Sequence, residues 1–229
     1  MNIGGLQKVS FVDYPGHICA TLFLQGCNFR CPFCHNPELV NPELFQRPIP
    51  EEDLWAFLRN RVGKLDGVTI TGGEPTVHKD LPDVMRRIQS MGLLVKLDTN
   101  GSHPDMLERI IGLRCVDYIA MDLKAPLARY PELTGVAVDL AAIQRSIGLI
   151  MGSSIAYEFR TTVMRSLLAP EDILAIGCMI AGGRRYALQR FVPSKHVEAG
   201  FTAGTTYAPQ ELEALRGELL KNVEECIIG

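Results

Sequence analysis

Six short apolar runs recur along the chain at near-regular intervals: 17–24, 67–71, 93–98, 116–123, 155–163 and 185–192. They are rich in Val, Ile and Leu and nearly continuous, as expected of strands buried on both faces. Between them lie helical patterns. Pro50, Glu51, Glu52 and Asp53 open one with a proline and acids in the first turn, and Leu54, Phe57, Leu58 and Val62 supply its apolar stripe. Others fall at 81–91, 104–113, 140–151 and 170–180, and a last one, from Pro209 to about Glu225, sets Leu212, Leu215, Leu219 and Val223 on one face. Strands alternating with helices, with no long polar linker, predict an α/β domain whose parallel sheet is joined by right-handed crossovers. The choice is an open doubly wound sheet or a partial (β/α) barrel. In both, ligands bind where strands end and the next loops begin. Functional motifs should therefore sit just after strands.

The 229 residues are enough for one domain with a large core, read as a leader over 1–16, a six-unit core over 17–192 and a C-terminal extension with a helix over 193–229. A net charge of −3, with no block of Lys and Arg, offers no footprint for nucleic acid or an anionic membrane. Residues 1–5 lack the features of a secretory signal, and no apolar run approaches the roughly 18 residues of a membrane span. The expected location is the cytosol.

In a reducing compartment, cysteine more often means a buried small side chain, a metal ligand or a redox group than a disulfide. Seven cysteines cannot all pair in any case, and Cys27, Cys31 and Cys34 fall within eight residues directly after the first strand. Four readings compete. Cys31-Pro32-Phe33-Cys34 fits a thioredoxin-like dithiol at a helix start, which leaves Cys27 without a role. Cys31 to His35 fits a haem-attachment pattern that needs export. Structural zinc needs a fourth ligand, and His35 is the only local one. The fourth is a [4Fe–4S] cluster held by three thiolates, with one iron open to bind something else.

The spacing C-x-x-x-C-x-x-C, with Phe33 before the last cysteine, resembles the signature of the radical S-adenosylmethionine (SAM) superfamily. That resemblance implies a partial (β/α)6 TIM-type barrel with parallel strands. It also implies a [4Fe–4S] cluster on Cys27, Cys31 and Cys34, and SAM chelated to the open iron by its amino and carboxylate groups. The cofactor would then carry the hard chemistry, and no residue need act as an acid or base.

Later strand ends carry related segments. Gly72-Gly73-Glu74 is similar to the family's G-G-E motif, which binds the methionine amino group; read by itself it is a turn whose glycines let the backbone approach a ligand. Asp98-Thr99-Asn100 could meet ribose hydroxyls or cap the next helix. With Asp122-Leu123-Lys124 this segment matches D-T-N-G and D-L-K stretches near the SAM ribose and carboxylate in activators of glycyl radical proteins, where acids matching Asp98 and Asp122 help bind a monovalent cation. Glu158 and Arg160, two apart on one strand face, form either a structural ion pair or, through Arg160, part of the site; Gln189 and Arg190 are candidates of the same kind. Phe33 is placed near adenine.

Asp13-Tyr14-Pro15-Gly16 reads as a turn into the first strand and is also similar to the leader of glycyl radical enzyme activating proteins. From Phe11 to Glu38 the similarity points to activators of anaerobic ribonucleoside-triphosphate reductase, with that reductase as protein substrate and a flavodoxin- or ferredoxin-type electron donor. Alternatives are a radical SAM enzyme acting on a small molecule such as a modified-nucleobase precursor, a dithiol oxidoreductase using Cys31 and Cys34, and a noncatalytic metal module. Cys19, Cys115, Cys178 and Cys226 read as core or incidental residues, with a redox role left open for Cys226.

Overall fold

A computed structural model describes residues 1–192 and 206–229, so 193–205, the start of the expected C-terminal extension, lie outside the described residues. One eight-stranded sheet runs in chain order, from β1 (Ile3–Ser10) and β2 (Cys19–Leu24) through β3 (Gly67–Gly72), β4 (Leu94–Thr99), β5 (Tyr118–Asp122), β6 (Ala156–Val163) and β7 (Gly183–Arg190) to β8 (Val223–Ile228). β2 to β8 are parallel, β1 joins β2 antiparallel, and the two end strands do not pair, so the barrel is partial. The six expected strands are β2 to β7, each displaced by no more than two residues at either end.

The helices are α1 (Pro37–Val40), α2 (Glu51–Arg59), α3 (Leu81–Gln89), α4 (Pro104–Gly112), α5 (Tyr130–Thr134), α6 (Leu140–Met151), α7 (Pro170–Met179) and α8 (Pro209–Leu219). Their stripes, such as Leu54, Trp55 and Leu58 of α2 and Leu81, Val84, Met85 and Ile88 of α3, pack on Val68, Ile70, Val95 and Leu97 of the strands in one continuous core. At about 25 cal/mol per Å² of apolar surface, this burial is what holds sheet and helices together.

Two expectations are corrected. The stretch read as a leader contains β1, a strand on the barrel edge with Ile3 fully buried and Leu6 opposite Leu22. The last helix stops at Leu219; after a turn through Leu220 and Asn222, Val223 begins β8 beside Gly183 of β7. Spacing by four from Leu219 suits a helix, but β-branched Val223, Ile227 and Ile228 gain more by extending the sheet.

The turn before β2 forms as expected, with Pro15 and Gly16 (φ +76°) at its centre and the His17 N–H donating to the Tyr14 carbonyl at 3.1 Å. It closes the amino end of the barrel. Tyr14 packs there with Cys19 and Tyr118, and Asp13 accepts from Thr21 Oγ1 at 2.6 Å. Among the described residues the opposite end is open.

Candidate functional site

The cysteine loop leaves β2 at Leu24 and folds over the carboxyl end of the barrel. There Cys27, Cys31 and Cys34 share a cleft with Gly72, Gly73, Glu74, Asp98, Thr99, Asn100, Asp122, Lys124 and Gln189. Counting the part open to solvent, the cleft encloses about 830 Å³. Every expected site residue lines it except Arg160, which lies just beneath, and Arg190. Phe33 lines the cleft while staying 6% exposed, anchored in the core. Arg190 does not line it: its guanidinium Nε donates to the Gly229 carbonyl at 3.2 Å. Phe29, Asn36, Thr71 and Thr162 also line the cleft and were not singled out in the sequence, although Thr71 and Thr162 lie at strand ends where the same rule applies.

The loop is held rigidly. The Arg30 N–H donates to the Thr134 carbonyl at 2.7 Å, the Arg30 guanidinium donates to the carbonyls of Cys27 and Phe29, and the Cys34 N–H donates to the Cys31 carbonyl at 3.1 Å. Gly72 has φ +114°, and a Cβ there would lie 2.4 Å from the Leu24 nitrogen. A Cβ on Gly73 would lie 2.1 Å from the Gly26 carbonyl oxygen. The glycines therefore let two protein loops interlock, with the Glu74 N–H donating to the Gly26 carbonyl at 2.7 Å. Both glycines also line the cleft, so this contact stands beside the expected approach of backbone to a ligand.

Glu74 is fully buried. Its Oε1 accepts from the Thr76 N–H at 3.0 Å, Thr76 Oγ1 at 2.5 Å and Thr99 Oγ1 at 2.8 Å, and its Oε2 from the Asn100 N–H at 2.6 Å. Burial pushes this carboxyl above its ordinary range, against the pull of those donors. Thr99 and Asn100 do not cap α4, whose N-cap is His103. Asn100 instead accepts from Ser102 through Oδ1 and donates to Asn28 Oδ1 at 3.0 Å, tying its loop to the cysteine loop.

Arg160 and Glu158 do not pair. Glu158 faces Arg185 at 3.7 Å near the closed end, while Arg160 donates from Nε to Asp122 Oδ1 at 2.8 Å and reaches Asp98 Oδ2 through Nη1 at 3.3 Å. Lys96 takes the other Asp98 oxygen, and Lys124 the other Asp122 oxygen at 3.1 Å. Burial alone would raise the Asp122 carboxyl, but Arg160 and Lys124 beside it hold it well below the ordinary range.

Three cysteines line the cleft and no fourth does. Cys19 contacts Thr69 inside the barrel, Cys115 contacts Met85, Cys178 is exposed, and Cys226 is buried on β8. Burial pushes the Cys27 thiol up to about 12 and raises those of Cys31 and Cys34. A thioredoxin-like dithiol needs the opposite shift from a helix amino end, and the nearest helix, α1, has four residues and begins after Cys34. Buried thiols that resist ionisation without a metal, in a set one short of the usual four, fit a cluster with one open iron.

Comparison with known proteins agrees. Residues 21–165 match the model of the radical SAM superfamily. A provisionally named glycyl-radical enzyme activating enzyme of Methanocaldococcus jannaschii is 30% identical over 233 residues, spanning 99% of this chain and 95% of that one. The pyruvate formate-lyase-activating enzyme of Clostridium pasteurianum is 33% identical over 128 residues, covering 53% of this chain and 52% of its own length. In structure, SuiB of Streptococcus suis bound to SAM superposes with a TM-score of 0.66 at 16% identity, over 91% of this chain and 52% of SuiB, which is a likeness of fold. No helix among the described residues is long and apolar enough to cross a membrane. The chain therefore belongs to the radical SAM superfamily, as an enzyme that works with a [4Fe–4S] cluster and SAM.

Proposed function

We propose that this enzyme activates a glycyl radical enzyme, by removing a hydrogen atom from a glycine Cα of that partner, and that the partner is the anaerobic ribonucleoside-triphosphate reductase. When bound, the cluster and SAM supply one chemistry: an electron from a flavodoxin- or ferredoxin-type donor breaks the sulfonium C–S bond, giving methionine and a 5′-deoxyadenosyl radical. Balance then requires that 5′-deoxyadenosine carry away the glycine hydrogen and that the partner keep the unpaired electron.

The chain's own residues bind, orient and shield. Cys27, Cys31 and Cys34 hold the metal. Gly73 lines the cleft, and its carbonyl would take the methionine ammonium. Glu74, with four donors of its own, acts through the backbone it fixes. Thr99 and Asn100 stand on the ribose side, with Phe33 toward adenine. Lys124, and Arg160 through Asp122, set positive charge near the methionine carboxylate, with Gln189 on the far wall. The unclosed side of the barrel admits a bulky substrate such as a protein loop.

The observation that carries this reading is that three cysteines, and no fourth, line one cleft with Gly72-Gly73-Glu74, in a chain similar along its whole length to the M. jannaschii protein. The test is anaerobic reconstitution with iron and sulfide, followed by reduction with SAM and purified reductase. A doublet glycyl signal in electron paramagnetic resonance, with one 5′-deoxyadenosine formed per radical, is expected. Formation of 5′-deoxyadenosine with no protein radical would reject the partner and favour a small-molecule substrate.

A further inference from the structure

The resemblance to glycyl radical activators implies a monovalent cation between carboxylates matching Asp98 and Asp122, and the residues present do not fit one. All four oxygens of these two carboxylates already face side-chain cations. Asp98 Oδ1 faces Lys96 and Oδ2 faces Arg160; Asp122 Oδ1 faces Arg160 and Oδ2 faces Lys124. Lys96, Arg160 and Lys124 therefore already occupy both carboxylates, and a metal cation brought between them would meet the repulsion of these side chains.

The register explains the arrangement. β5 and β6 are parallel with Asp122 directly beside Arg160, and β4 brings Asp98 to the same inward face one strand further on. Arg160 is 13% exposed and Asp98 14%, so the fork lies within the barrel mouth and not on its surface. A guanidinium stays protonated at any pH the protein survives and presents its donors in a fixed plane, so one side chain can serve both carboxylates.

We propose that Arg160 is a built-in cation: its guanidinium permanently takes the place of an exchangeable monovalent ion between Asp98 and Asp122, making SAM binding by this enzyme independent of potassium and sodium. Arg160 is thus a positioning residue, acting on SAM through the two aspartates and Lys124. The inference concerns the SAM end of the cleft and stands whichever molecule the radical attacks.

Two measurements test it, at a constant ionic strength of about 0.1 M so that screening does not change. The first is thermal melting of the cluster-free protein in potassium, sodium or choline chloride, choline being too bulky to enter. The second is SAM affinity of the reconstituted enzyme in the same salts. The wild type should melt within about 1 °C in all three and bind SAM within about twofold. Arg160→Gln should lose about tenfold in SAM affinity in choline and recover part of it, with a rise in melting temperature, when potassium or sodium is added. Arg160→Lys should need neither ion. A wild type whose melting temperature or SAM affinity falls markedly in choline would overturn the proposal, as would an Arg160→Gln protein that folds and binds SAM like the wild type in choline. Should Arg160→Gln fail to fold, the wild-type salt series decides alone. Melting without SAM keeps this test separate from any failure of the radical chemistry.

Discussion

The two ends of the barrel interior are built by the same strands and differ in almost every respect. At the carboxyl ends, Thr71, Asp98, Asp122, Thr162 and Gln189 line an open cleft. At the amino ends, Tyr14, Cys19 and Tyr118 pack into a closed floor, with the Tyr14 and Tyr118 rings 5.8 Å apart. The contrast runs within single strands. On β6, Glu158 belongs to the floor through Arg185, and two residues on, about 7 Å along the strand, Arg160 belongs to the mouth through Asp98 and Asp122. On β4, fully buried Lys96 bridges the halves by reaching Asp98 from below. What a charged residue inside this barrel does is therefore decided by its height along the strand more than by its type, in line with chemistry gathering at carboxyl ends and stability at amino ends.

If the halves are separable, mouth variants should change cofactor handling and floor variants should change stability. The largest effect is expected for Cys27→Ala, which should abolish cluster retention and 5′-deoxyadenosine formation. Cys115→Ala should keep the iron–sulfur absorbance, and a dithiol oxidoreductase would instead survive the loss of Cys27. Next is the pH dependence of iron uptake. Each thiol must lose its proton to bind, and burial holds Cys27 up to about 12, so apparent affinity should rise with pH over the range 7 to 9, by about tenfold per unit for each proton released. Chelator competition measures it, and an affinity flat in pH would mean the thiols are already ionised.

Tyr118→Ala in the floor should cost about 3 kcal/mol, the low end for deleting a buried aromatic, seen as a lower denaturation midpoint. SAM affinity of the folded fraction should stay within about twofold. A large loss of SAM binding with unchanged stability would erase the distinction between the two ends. The smallest effect is expected for Glu74→Gln, which keeps the volume but must turn an amide NH₂ toward one of its four donors. About 1–2 kcal/mol should be lost, with a weaker SAM complex by calorimetry, and Thr99→Ala should reproduce part of it.

The six central strands were legible because their short runs are rich in Val, Ile and Leu, and stretches such as Val68–Ile70 and Val95–Leu97 are buried on both faces even though Thr69 and Lys96 interrupt them. The cleft residues followed from the rule that sites sit where strands end. β1 was not legible because Gly4, Gly5, Gln7 and Lys8 weaken any strand pattern, and its place depends on pairing with a β2 that must first exist. β8 was lost because Val223 satisfies helical spacing and strand preference equally. Within the site, the partners of Arg160 were hidden for a different reason. Its same-strand neighbour Glu158 is two residues away in sequence, whereas Asp98 and Asp122 come near only through sheet register and barrel curvature. Two of the four donors to Glu74, Thr99 Oγ1 and the Asn100 N–H, are likewise 25 and 26 positions away and are set by tertiary packing.

The contact between Gly73 and the Gly26 carbonyl has a consequence for transplanting this chemistry. With no room for even a methyl group between them, the cysteine segment and the Gly-Gly-Glu segment behave as one mechanical part, although some 40 residues of chain separate them. A protein engineer who grafted the three cysteines alone onto another barrel would obtain a loop free to sag. Carrying Gly72-Gly73-Glu74 along, with Thr99 and Asn100 to brace it and Thr134 to hold Arg30, would bring the contacts that fix its shape.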